Sequence, residues 1–108
     1  MNRLTTEQRD TIVRDIERLV NDSATEQTRS SWGVQYMVCA THRGMPALIY
    51  AMQSSRFNGL VYVCYQGAAD IFMLEAKPLG KNTQPRIMRD VHSRHVGSSI
   101  DRLITPLN

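Results

Sequence analysis

Residues 34–76 hold four apolar segments: VQYMVCATH (34–42), ALIYAMQ (47–53), LVYVCYQ (60–66) and IFMLEA (71–76). Each is rich in β-branched or aromatic residues and each is bounded by a short turn signal, which is the pattern of strands. HRGMP separates the first two segments and GAAD the last two. Asn58-Gly59 is the strongest hairpin dipeptide, because a type I′ turn needs positive φ at both central residues. Connections this short join antiparallel neighbours, so the block predicts a four-stranded meander.

The faces of these strands constrain the fold further. A sheet with one wet side alternates apolar and polar residues. Here Val34, Tyr36, Val38 and Ala40 oppose Gln35, Met37, Cys39 and Thr41. Val61, Val63 and Tyr65 oppose Leu60, Tyr62 and Cys64. Both faces are therefore largely apolar. Two packed helices, each covering a strip about 10 Å wide, can close one face only. The second face is expected to need a second copy of the chain or another protein over it.

The helices flank this block. In TEQRDTIVRDIERLV (6–20), Ile12, Val13, Ile16, Leu19 and Val20 form one stripe of a 3.6-residue repeat. Thr5 with Gln8 stands in capping-box register at its start. Residues 21–33 read as a polar loop, with Ser23 and Glu26 able to cap a short extra turn. Trp32 either returns the chain to the core or stands exposed as a binding anchor. Beyond KPLGKNTQ, Pro85 suits the first turn of a second helix, with Ile87, Met88 and Val91 as its apolar stripe. Gly97 reads as the stop of that helix. Ser98 with Asp101 resembles a capping box for a last short helix, SIDRLI, which Pro106 ends. The expected architecture is a single α+β domain over residues 1–108: an N-terminal helix, a four-stranded antiparallel β-meander and one or two short C-terminal helices.

The charge is unevenly placed. Of the net +3, the last third (77–108) carries +4, from Lys77, Lys81, Arg86, Arg89, Arg94 and Arg102 against Asp90 and Asp101. Such a segment favours an acidic partner, either a protein face or nucleic acid. No apolar run approaches the roughly 18 residues of a membrane span. The polar start, MNRLTTE, has no signal-peptide core, so the expected setting is the cytoplasm. Cys39 and Cys64 each lie in an apolar run and read as buried, reduced thiols without a second cysteine at zinc-ligand spacing.

RDVHSRHVGSS (89–99) holds the densest functional vocabulary. On a helix His92 and His95 would be neighbours, yet a stable zinc site needs at least a third ligand, and none stands at helical spacing. No catalytic residue, metal site or cofactor is assigned. A helix followed by a four-stranded antiparallel sheet is similar in layout to small bacterial ribonuclease toxins. That likeness implies RNA cleavage, with His92 or His95 moving protons. The favoured expectation is a cytoplasmic, non-enzymatic interaction module of the bacterial or phage accessory type, a homodimer or a subunit of an assembly. Its partner-binding residues would be Trp32, Arg86, Arg89, His92 and Arg94, with the apolar sheet face as the interface and the basic C-terminal helix meeting an acidic partner.

Overall fold

The computed structural model describes residues 5–67, 70–80 and 83–105. Lys81, Pro106 and two residues of the GAAD turn lie outside them. Helix α1 (Thr6–Ser23) begins with the expected capping box: Gln8 N–H donates to Thr5 Oγ1 at 3.1 Å, and Thr5 N–H donates to Gln8 Oε1 at 2.8 Å. Its stripe buries Val13, Ile16 and Val20, flanked by Ile12 and Leu19. A short helix α2 (Glu26–Ser30) follows, capped by Thr25 rather than Ser23.

Five strands then form one antiparallel sheet in chain order: β1 (Val34–His42), β2 (Met45–Gln53), β3 (Asn58–Tyr65), β4 (Ile71–Pro78) and β5 (Arg86–His92). The α+β class holds, but the sheet has one strand more than the sequence suggested. β5 occupies the segment expected to be the second helix. Asp90 explains the misreading. It sits at φ +56° where the β4–β5 register shifts, so one extra residue separates the core-facing Met88 and Val91. A bulge turns the strand period of two into a local spacing of three, which imitates one face of a helix.

Two turns also differ from expectation. Asn58-Gly59 opens β3 and does not form the β2–β3 turn. That turn runs over 54–57, where Ser54 N–H donates to Phe57 O and Ser54 Oγ accepts from the amides of Arg56 and Phe57. Gly59 serves close approach instead: a Cβ there would lie 2.3 Å from the Lys77 carbonyl oxygen on β4. The two-residue hairpin is Arg43-Gly44, with φ +52° and +78° and His42 paired to Met45. Positive φ at both central positions is the type I′ signature.

The core lies on one face of the sheet. Leu48, Tyr50, Val61, Val63, Phe72, Leu74 and Val91 meet α1 and a C-terminal helix, α3 (Val96–Leu103), which follows a 3₁₀ turn at Ser93–His95. Gly97 lies inside α3 and does not stop the preceding element. A Cβ there would come within 2.7 Å of Ala24, so glycine lets α3 approach the end of α1. His92, not Ser98, supplies a capping side chain, its Nδ1 accepting from the Arg94 amide. Trp32 is 1% exposed, and its indole N–H donates to Asp101 Oδ1 at 3.0 Å. Arg56 Nη2 donates to the same oxygen at 2.8 Å and to Ser31 Oγ at 3.0 Å. This network ties the entry to β1, the β2–β3 turn and α3 together. Burial raises the Asp101 carboxyl, but the hydrogen bonds from Arg56 and Trp32 and the Arg56 charge outweigh it, so its pKa lies below the ordinary value.

Candidate interaction site: the second sheet face

The strand registers lay out the face opposite the helices. Tyr36, Ala51, Leu60 and Lys77 form one row across β1 to β4. Val38, Ile49, Tyr62, Glu75 and Ile87 form the next, across all five strands. Ala40, Ala47, Cys64 and Met73 form the third. Apolar side chains dominate, as the strand patterns required.

The sheet is far from flat. Three strand spacings separate β1 from β4, about 14 Å, and His42 stands four residues along β1 from the Glu75 row, about 13 Å more. Yet His42 Nε2 and Glu75 Oε1 are 3.0 Å apart. Right-handed twist has therefore curled the β1–β2 hairpin tip over the second face. Tyr62 stacks on the His42 ring, with centroids 4.0 Å apart. Arg43 Nε donates to Glu75 Oε1 at 2.9 Å. The tip thus covers one end of the face: Ala47, Cys64 and Met73 are buried although no helix lies over them.

Glu75 is 3% exposed, and the local structure explains how it is tolerated. Burial raises the carboxyl, but hydrogen bonds to His42 and Arg43 and their charges prevail and hold its pKa below the ordinary value. An ionised carboxylate gains most from charge-assisted donors, and here the hairpin delivers two. Arg43 adopts a left-handed conformation that costs a non-glycine residue about 1–2 kcal/mol. The turn residue places its guanidinium on the one buried carboxylate of the sheet. Burial, followed by the nearby Glu75 charge, pushes the Cys64 thiol up to about 11, so it stays protonated and unreactive at neutral pH.

Beyond the tip the face is open. Tyr36 is 60% exposed, Val38 43% and Ile87 39%, while Ile49 and Leu60 are half-buried beside them. Lys77 and Arg89 are exposed, and Arg89 Nη1 lies 3.7 Å from Met73 Sδ on this face. The expectation that another molecule must cover the whole face therefore shrinks to this open end.

The five residues expected at a partner surface do not form one patch. Trp32 is in the core. Arg86 donates to the carbonyls of Leu103 at 2.9 Å and Thr105 at 2.8 Å, completing the end of α3. His92 caps the 3₁₀ turn, with its ring 6.4 Å from that of His95. Arg94 is exposed on that turn, and Arg89 alone reaches the second sheet face, where it meets buried Met73. The two cysteines also part company: Cys64 is buried, as expected, whereas Cys39 is exposed. Among the described residues no three His, Cys, Asp or Glu side chains gather as metal ligands, and no helix is long and apolar enough to cross a membrane.

Sequence reasoning missed the His42–Arg43–Glu75 cluster. Its trace was a single carboxylate within IFMLEA and a His-Arg pair beside a hairpin glycine. Comparison with protein-family models, curated proteins and solved structures finds no match to this chain.

Proposed function

We propose that this chain is a cytoplasmic, non-enzymatic interaction module whose open sheet end is covered by another protein in the working complex. The observation that carries this reading is the pair of exposed large apolar side chains Tyr36 and Val38 beside half-buried Ile49 and Leu60, with Ile87 exposed on β5 on the other side of the Glu75 cluster. Scattered surface hydrophobes are ordinary, but a contiguous apolar patch with a polar rim marks an interaction surface. Lys77 and Arg89 supply the rim and favour an acidic partner edge. The cationic contribution thus comes from two strands and not from a basic helix. The exposed free thiol of Cys39 suits a reducing compartment.

One observation favours a second reading, in which the face binds single-stranded RNA. Tyr36 stands in the same row as Lys77, so an exposed aromatic and a cation share a surface where bases could stack and phosphates pair. Affinity capture from a native extract, with half of each sample nuclease-treated, separates the two. Under the protein reading the wild type retains one partner after nuclease, and Ile87→Asp loses it. Loss of all capture on nuclease treatment would replace the protein reading with the RNA one.

A further inference from the structure

The free edge of β1 carries an inference that does not rest on the proposed partner face. β1 pairs with β2 alone, so its outer edge presents a row of backbone donors and acceptors that only an extended chain can pair. Sheet edges are normally guarded by charges, proline or bulges. β1 has no Lys, Arg, Asp, Glu or Pro, and its irregularity is confined to the Val34/Tyr36 end. Every residue from Val34 to Cys39 is exposed, including Met37 at 47% on the helix side.

We propose that β1 pairs antiparallel with β1 of a second copy, joining two five-stranded sheets into one of ten strands. Three observations favour this occupant. The strand is uncharged from Val34 to Thr41, and His42 is held on Glu75, so a two-fold copy sets no like charges opposite one another. A two-fold axis at Val38, the midpoint of the strand, sets Met37 against Cys39 of the second copy. That brings Met37 and Cys39 of the second copy beside the groove of about 360 Å³ that Met37, Cys39 and Leu48 line together with Val13, Asp10, Arg14 and Glu17 of α1. The opposite edge, β5, is charged at Arg86, Arg89 and Asp90 and bulged at Asp90, so pairing stops at two copies and does not propagate into a fibre.

The size of the contact sets its strength. A nine-residue strand is about 30 Å long and a sheet edge about 10 Å thick, giving an upper limit of roughly 600 Å² buried in total if its irregular start and curled end also pair. This is at most half of what stable interfaces bury, so the dimer is weak and reversible.

Sedimentation velocity from about 5 to about 300 µM in reducing buffer tests this pairing, a range chosen to span weak association. The wild type is expected to pass from monomer to dimer across it. Met37→Lys/Cys39→Lys sets like charges opposite each other twice and weakens the dimer at least about tenfold. Met37→Glu/Cys39→Lys, altered at the same two exposed positions, sets opposite charges across the axis and keeps the dimer, now weakened by salt. Unchanged circular dichroism confirms that both variants fold. A wild type that stays monomeric, or two double variants that behave alike, overturns the proposal. Ile87→Asp, on the far side of the sheet, is expected to leave the dimer intact while abolishing partner capture, so the two readings fail independently.

Discussion

The two edges of the sheet meet the same hazard with opposite devices. β5 is guarded by charge and by the Asp90 bulge, and Arg86 binds it to the carbonyl end of α3. β1 is charge-free up to His42, and its exposed middle is held by β2 alone. The helix layer explains the difference. α1 packs over β2 and β3 and α3 over β4 and β5, so the covering layer is displaced away from β1. β1 is anchored at its ends, by Trp32 just before it and by the curled His42–Arg43 tip after it. An edge that is fixed at both ends and bare between them is a preformed template for another strand.

This contrast can be broken in stages. Trp32→Ala removes the anchor at the start of β1 from the core, and its expected cost is about 3–5 kcal/mol in denaturant unfolding. A cost below about 1 kcal/mol would mean that β1 is not held there. Val91→Ala, on the covered edge, is expected to cost about 2 kcal/mol for two lost methyl groups and the resulting cavity. Cys39→Ala, on the bare edge, should stay within about 0.5 kcal/mol at concentrations where the chain is monomeric. Equal costs at these two positions would contradict the uneven covering.

At the curled tip, His42→Ala/Arg43→Ala leaves the Glu75 carboxylate buried without its donors. The expected cost is about 1–3 kcal/mol. The same cluster sets a pH dependence. The folded pKa of Glu75 lies below its ordinary value of 4.5. Its stabilisation is therefore fully present above that value and is lost as pH falls through the lower, folded pKa. The melting temperature should fall on acidification below about pH 4.5 less steeply in Glu75→Gln than in the wild type. Asp101 shifts in the same direction and leaves a residual slope in both. Parallel curves would show that the tip contributes nothing through this carboxylate.

Much of the fold could be read from the residues. The α1 capping box, its apolar stripe and the first four strands follow from local chemistry, and short connections required the meander. The β5 segment defeated that reading because the bulge residue broke the alternation on which strand recognition depends. Asn58-Gly59 misled for a related reason. The dipeptide suits a type I′ turn, but here Gly59 answers the nearness of Lys77 on a strand that adjoins only after folding. The basic residues of the last third were visible as charge, but not as geometry. Arg86 turns inward to a helix end and Arg89 outward to the sheet face, and neither direction is encoded by spacing alone.

The sequence by itself determined the class of the fold, the two apolar faces of the sheet and the lack of charge along β1, because alternation and composition are local properties. Only the tertiary structure decided which face the helices cover, how far the hairpin tip curls back and which edge stays bare. Those outcomes depend on sheet twist and on where the helices dock, and both are settled by contacts between residues far apart in the chain.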